Sequence, residues 1–397
     1  MLDIWPPLPF YILSFWSDAN VDNIIALLEH KNRVCGIHIS NISSLDFEKV
    51  LAVMQEPFPE LTYLSLRLNE ITMAVLIDSF LGGSAPRLRE LPLSGIPFPG
   101  LPKLLLSATH LTDLRLFDIP HSGYFLPEAM ATALSTLISL EELRLGFQSP
   151  LSLPDRASRR LPPPTHVVLP VLTTFWFKGV SDYLDDLVVH IDAPLLKRLD
   201  IMFFNQILFD TPQLVQFISR TPALKAPKTA RVMFLDDATR VELSSGAFGY
   251  RDLSVGILCQ NSDWQVSALE QVCTSCLPPL STLEDLYIYE DPFPHSEWQD
   301  NIENSLWLEL FQPFTAVKNL YLSEEFEPRI IPSLQEVVGE RMAEVLPTLQ
   351  NIFLEGLDSD TSGPVQRAIE QFVARRQASQ PMAVFHWDGR GKIQFYD

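Results

Sequence analysis

Residues 61–71, LTYLSLRLNEI, read L-x-x-L-x-L-x-x-N-x-I. Leu64 and Leu66 alternate as residues on one face of a short strand do. Asn69 falls where the chain must turn, and its amide can satisfy backbone groups that would otherwise be buried unpaired. One such strand and turn cannot bury its own apolar face. The pattern makes physical sense only if it recurs and successive copies cover one another.

It recurs. The same spacing returns at Val34-Ile37-Ile39, Leu88-Leu91-Leu93, Leu111-Leu114-Leu116, Leu140-Leu143-Leu145, Leu172-Phe175-Phe177 and Leu196-Leu199-Ile201. After a gap it resumes at Leu283-Leu286-Ile288, Val317-Leu320-Leu322 and Leu349-Ile352-Leu354. The starts stand 27, 27, 23, 29, 32 and 24 residues apart, then 87, then 34 and 32. The long gap leaves room for about three further units at a period of roughly 20–29 residues. Arg231–Phe234, Val241–Leu243 and Leu253–Leu258 are their expected degenerate strands.

Helix signals fill the spaces between strands. Asp22 is the expected N-cap of a helix over Val21–His30, and Ser43 with Asp46 forms a capping box before Val50, Leu51 and Met54. Pro127, Pro212 and Pro364 fit the first turns of helices over 127–137, 212–219 and 364–376. Ser333 with Glu336 reads as a second capping box, and Gly82-Gly83 as the stop of a helix ending near Phe80. Leu2 and Ile4 read as a first short strand.

Strand, turn and helix in alternation predict an α/β fold: a leucine-rich-repeat solenoid with a curved parallel sheet on its concave side and helices on its convex side. The expected organisation is a single solenoid over 1–397. Residues 1–33 start the array, 149–165 form a Pro/Arg-rich insertion, 224–262 an irregular middle segment, and 378–397 a C-terminal cap. The insertion, SPLSLPDRASRRLPPPT, carries Arg156, Arg159 and Arg160 and reads as an exposed loop or a basic docking peptide.

A net charge of −20 argues against a protein that tracks nucleic-acid phosphates. Residues 281–360 hold 17 Asp or Glu against Lys318, Arg329 and Arg341, a local net of −14 that reads as a solvated face or a patch for a basic partner. Four cysteines on 397 residues are too few for a disulfide framework, which points to a reducing compartment. Neither a signal peptide nor a membrane-spanning run is legible, so the expectation is a soluble intracellular monomer, cytoplasmic or nuclear, without membrane or nucleic-acid partners.

Chemistry is sparse. Cys273 and Cys276 have CxxC spacing, but no second pair of ligands lies nearby, and both fall in line with Leu269 and Val272 on a helix opened by Asp263. Core packing is the expected role, with metal or redox work as the alternative. His121 stands beside Ser122, and adjacency in sequence is not a nucleophile–base geometry. No cofactor, metal or catalytic residue is predicted. What the repeat supplies is a surface. Side chains between the last two apolar positions of each strand, and the next outward ones, face the concave side. They include Arg67, Arg115, Arg144, Trp176 and Lys178 early, and Tyr287, Tyr289, Tyr321 and Phe353 late. Arginine and large aromatics are the residues protein interfaces favour. The alternative is that the aromatics ladder along the sheet and stiffen it.

Several phrases go beyond a generic repeat: FLGGSAPRLREL (80–91), IPFPGLPKLLLSATHLTDLRLFDIPHSGYFLPEAM (96–130), FKGVSDYLDDLVVHIDAPLL (177–196), FFNQILFDTPQLVQFISRTP (203–222), VKNLYLSEEF (317–326) and LPTLQNIFLEGL (346–357). They resemble the F-box-like leucine-rich-repeat proteins of mushroom-type (basidiomycete) fungi over essentially the whole chain. The resemblance implies a right-handed αβ solenoid and a role as the substrate-recognition half of a cullin-type ubiquitin-ligase receptor. Those proteins usually begin with an F-box. Met1-Leu2-Asp3-Ile4-Trp5 instead resembles the first strand after that module, so the N-terminal F-box is expected to be missing and ligase recruitment falls on no residue here. A non-enzymatic interaction scaffold is the resulting expectation, with a relict family copy lacking a dedicated partner as the alternative.

Overall fold

The strand predicted within LTYLSLRLNEI is present as Tyr63–Arg67, with Leu64 and Leu66 wholly buried and Arg67 exposed. In this computed structural model the described residues are 8–14, 20–68, 75–150, 166–206, 209–246, 251–259, 262–290, 302–337, 344–355, 364–377 and 381–387. Asn69, most of the 149–165 insertion and the Leu2–Ile4 strand lie outside them. Packing divides the chain into two compact units, Met1–Leu196 and Lys197–Asp397.

The first unit holds β1 (Phe10–Ser14), β2 (Val34–Ser40), β3 (Tyr63–Arg67), β4 (Glu90–Ser94), β5 (Asp113–Ile119), β6 (Glu142–Phe147), β7 (Val167–Val168), β8 (Thr174–Gly179) and β9 (Ile191–Asp192). Strands β1 to β6 and then β8 lie side by side in that order, each parallel to the next, while β7 and β9 pair apart from them. The register keeps the repeat's apolar positions level: Ile37 meets Leu64, and Leu91, Leu114, Leu143 and Phe175 form one buried row. A second spine precedes the strands. The backbone N–H of Thr62 donates to Cys35 O, Arg89 to Thr62 O, Thr112 to Arg89 O, Glu141 to Thr112 O and Thr173 to Glu141 O, all at 2.8–2.9 Å. Hydroxyls of Thr62, Thr112 and Thr173 donate to the same carbonyls, so each threonine doubles the link at its step.

Helices α1 (Val21–Leu28), α2 (Ser44–Val53), α3 (Leu101–Leu105), α4 (Pro127–Leu134) and α5 (Ser181–Val188) cover one face of this sheet. Their buried sides carry Leu28, Phe47, Val50, Leu104, Leu134 and Leu184. Ser43 caps α2 as expected, accepting from the Asp46 N–H at 3.2 Å. The cap of α1 is Asn20, which accepts from the Asp22 N–H at 2.9 Å, so Asp22 lies in the first turn instead. Pro127 opens α4, but the helix stops at Leu134, three residues short of the expected end. Gly82-Gly83 closes no α-helix. Phe80–Gly83 is a single 3-10 turn in which Leu81, Gly82 and Gly83 all have positive φ, and the Leu81 N–H donates to Met54 O.

The second unit holds β10 (Arg198–Phe203), β11 (Thr229–Phe234), β12 (Ala238–Ser244), β13 (Leu253–Leu258), β14 (Asp285–Glu290), β15 (Asn319–Leu322), β16 (Asn351–Leu354) and β17 (Ala383–His386). Their spatial order is β10-β13-β12-β11-β14-β15-β16-β17. Here the expectation of three degenerate repeats in a wholly parallel sheet is corrected. The three strands exist, but β12 runs antiparallel to both neighbours. Only residues 235–237 join β11 to β12, with the Leu235 N–H donating to Ala238 O at 2.8 Å, and only 245–252 join β12 to β13. Parallel neighbours need a crossover of roughly a dozen residues or more, so connections this short enforce hairpins. Parallel pairing resumes from β11 to β14 and continues to β17.

Helices α6 (Pro212–Arg220), α7 (Ser262–Ser275), α8 (Asn304–Phe311), α9 (Glu327–Gln335) and α10 (Pro364–Gln377) accompany these strands, and α7 to α10 pack in sequence. The Ser333–Glu336 capping box is also corrected. Helix α9 opens at Glu327-Pro328, which places Ser333 in its last turns, where its hydroxyl donates to Arg329 O or Asn304 Oδ1. The first-turn proline is the same start signal that Pro127 and Pro212 give.

Candidate functional site

Alternation in the strands sends every second side chain away from the helices. In the first unit this face carries an acidic row and a basic row. Glu90, Asp113 and Glu142 are level with one another, and Pro92, Arg115, Arg144 and Trp176 form the next row. The rows satisfy each other. Arg115 donates to both carboxylate oxygens of Asp113, at 2.9 and 2.6 Å, and to Glu142 at 3.2 Å, and Arg144 donates to Glu142. Burial, helped by Glu142 and Glu90, holds the Asp113 carboxyl above its ordinary range despite Arg115. Burial pulls the Arg115 guanidinium down, and Asp113 and Glu142 outweigh that pull, leaving it raised. Sequence reasoning treated both arginines as available. The structure engages them with carboxylates two residues back along their own strands.

Arg67 differs: it is exposed, with no hydrogen bond or ion pair among the described residues. It lines a cleft of about 300 Å³ with His38, Ser65, Pro92, Ser94, Arg115, Phe117 and Asp118. Burial lowers the pKa of His38, whose Nδ1 is 3.5 Å from the Tyr63 hydroxyl. Trp176 leans across β6 because Gly146 carries no side chain. A Cβ there would stand 2.8 Å from the indole, which reaches Phe117 edge-on with ring centroids 5.4 Å apart. Lys178 lies one outward step beyond Trp176 and is half-buried.

In the second unit the expected aromatics form a ladder. Tyr287, Tyr321 and Phe353 are in register, stacked at 4.1 and 4.3 Å with interplanar angles of 7° and 10°. Phe385 on β17 extends the stack at 5.1 Å and is 46% exposed. Trp387 packs edge-on against Tyr287 and Tyr321. Burial pushes both tyrosine hydroxyls up, Tyr287 the further. An amide ladder runs beside the rings: Asn319 donates to Asp285 and Asn351 donates to Asn319, both at 2.7 Å. Tyr289 stands one outward step from Tyr287, half-buried and level with Met233. Sequence reasoning missed Phe385 and Trp387, although V-F-H-W at 384–387 alternates as the earlier strands do.

On the ladder's other side the same row continues through Arg231, Glu242, Ser254 and Asp200, each no more than 5% exposed. Arg251 donates to Glu242 at 2.7 Å and lies 3.8 Å from Asp200, while Arg240 is 3.8 Å from Glu242 and Arg198 3.6 Å from Asp200. Arg251 is held above its ordinary range, since Glu242 and then Asp200 outweigh the effect of burial. Nothing in the sequence places these groups together, because the grouping depends on the antiparallel excursion.

Cys273 and Cys276 are buried and in no disulfide, and burial pushes the Cys273 thiol far up. Burial thus favours the protonated thiol, which is a poor nucleophile. His121 Nε2 is 2.6 Å from Ser149 Oγ rather than beside Ser122, on an exposed surface, and no third group orients the ring among the described residues. Among those residues no group of three or more His, Cys, Asp or Glu is placed to hold a metal, and no helix is long and apolar enough to cross a membrane.

Each unit is a stretch of leucine-rich-repeat solenoid. No protein-family model matches the chain, and no curated protein does. Among solved structures it is similar to the leucine-rich repeat-containing protein LegL7 from Legionella pneumophila, at 11% identity over 93% of this chain and 98% of that one, with a TM-score of 0.32.

Proposed function

We propose that the chain is a non-enzymatic protein-interaction scaffold whose helix-free sheet faces take segments of a partner protein. The observation that carries this reading is the stack of Tyr287, Tyr321, Phe353 and Phe385, half-exposed and locked in register. Rings fixed by their neighbours offer apolar contact area at little further entropic cost, which is what a recognition surface needs. In the first unit the corresponding contacts are Arg67, Trp176 and Lys178, with Arg115 and Arg144 as a pre-paired, rigid rim. Four cysteines outside any disulfide support a reducing, intracellular setting, and the scaffold acts as a monomer.

Affinity capture from cells, comparing the native chain with Tyr321→Ala/Phe353→Ala and with Arg67→Glu/Trp176→Ala, tests the reading. Each pair is expected to lose partners that the native chain recovers; recovery unchanged in both pairs sinks it. The finer reading, substrate recognition for an F-box-type ubiquitin ligase, rests on the resemblance of the six phrases quoted above. Its measurement is the cellular half-life of a captured partner with and without the chain. An unchanged half-life removes the ligase role and leaves the scaffold standing.

A further inference from the structure

Two arginines of the second unit are buried among the described residues, and they differ in one respect. Arg376, 2% exposed, donates to the backbone carbonyls of Val345 and Leu346. Arg231, 5% exposed, makes no hydrogen bond or ion pair among the described residues. Its guanidinium carbon only stands 5.9 Å from the centre of the Tyr287 ring. A charged, five-donor group so largely withdrawn from water, with no protein partner for its donors, is costly for a fold to hold. The carboxylate opposite it, Glu242, is already taken by Arg251 at 2.7 Å. Beside it Arg240 Nε is sealed from solvent and unpaired. Met233, in register with Arg240, follows Arg231 by two positions, so the two arginines are diagonal neighbours on β11 and β12, within reach of one ligand.

Charge points the same way. Arg198, Arg240 and Arg251 stand 2.7–3.8 Å from Asp200 or Glu242, so three other arginines already engage both carboxylates of this row. Ser254 Oγ and Asp200 Oδ1 are unpaired as well, but they belong to registered neighbours on β13 and β10, where a change of serine rotamer rather than a ligand can join them. Arg231 has no such remedy. The nitrogens of its guanidinium are not among the sealed polar atoms, so a ligand can reach them.

We propose that Arg231, with Arg240 beside it, forms an oxyanion-binding site that takes a carboxylate or phosphate group. The planar guanidinium offers two parallel N–H donors to such a group, and Arg240 Nε adds a third. Met202, whose thioether lies over Gly256 next to Arg240, is the flexible side chain that can yield space. Tyr287, which the guanidinium overlies, is also the first ring of the aromatic stack. A partner with an acidic group beside apolar residues therefore fits both features. The carrier of the anion depends on the scaffold reading; the site itself does not.

The test uses the full chain with inorganic phosphate and N-acetylglutamate as probes, against chloride at matched ionic strength, by calorimetry and thermal melting. Saturable binding of at least one probe is expected, weakened by about tenfold or more in Arg231→Met and in Arg240→Met, as the loss of a charged hydrogen bond implies. Which probe binds tells a carboxylate site from a phosphate site. Arg231→Lys keeps the charge without the fork and is expected to bind more weakly than the native chain. Without probe, Arg231→Met is expected to melt no lower than the native chain, because it removes an unpaid buried charge. Absence of binding by both probes, equal binding in Arg231→Met, or a probe-free melting point well below native overturns the site. None of these outcomes depends on whether a protein partner is captured.

Discussion

Replacing Tyr321 by alanine removes the middle of the ring stack. Tyr321 makes three ring contacts, with Tyr287 at 4.1 Å, Phe353 at 4.3 Å and Trp387 at 5.6 Å. Aromatic pairs contribute about 0.5–1.5 kcal/mol each beyond area burial, so independent contacts would sum to roughly 1.5–4.5 kcal/mol. The three share one side chain and one face stays half-wet, so about 2–3 kcal/mol is the expected cost. For a unit of about 200 residues that lowers the melting midpoint by roughly 4–12 °C. Calorimetry of the full chain measures it, with Tyr321→Phe as the control. The phenylalanine keeps all three ring contacts and loses only the hydroxyl's bond to Tyr287, at a cost of about 1 kcal/mol or less. A midpoint within about a degree of native for Tyr321→Ala would refute the reasoning, because rings that cost nothing to remove are not packed as a stack.

Two further outcomes follow from burial. Leu114, wholly buried between Leu91 and Leu143, becomes an unpaired charge between stacked strands in Leu114→Asp, which is expected to lose more than about 4 kcal/mol in urea unfolding. The Cys273 thiol is raised by burial above its ordinary value of 9.0, so above that pH the unfolded chain releases its proton first and native stability falls as pH rises. Unfolding measured from pH 8 to pH 10 is expected to show a shallower decline in Cys273→Ala than in the native chain; parallel declines would contradict the assignment.

The ten repeat strands were legible because Leu, Val, Ile and Phe at L-x-x-L-x-L spacing have one low-energy use, a strand with one buried face. The excursion at 229–258 was legible as strands but not as hairpins, since direction depends on connection length, and only Asp236-Asp237 marks the tight turn. The engagement of Arg115 was available and overlooked: alternation puts Asp113 on the same face two residues earlier, and Glu142 arrives level with it from the next repeat. Helix starts failed where two polar residues competed. Asn20 outranks Asp22 because its amide oxygen reaches a free N–H of the first turn, while Ser333 lost to the proline at 328. The unpaired guanidinium of Arg231 lay beyond sequence reasoning, which cannot supply the neighbours that would pair it.

The hairpin excursion also sets an order of assembly. In the first unit consecutive strands join residues 27 positions apart, as Ile37 and Leu64 are. In the second, β10 must wait for β13, 54 positions on at Leu199 and Leu253, and β11 must wait for β14, 56 positions on at Thr229 and Asp285. Doubling a loop costs only about 0.6 kcal/mol in closure entropy, so stability is barely affected. Rate is another matter, because contacts distant along the chain form late. Successive repeats of the first unit can zip from any nucleus, whereas the second must close its long pairings around a β11-β12-β13 hairpin set that forms locally, so Arg231 meets Arg240 and Glu242 before it meets Tyr287.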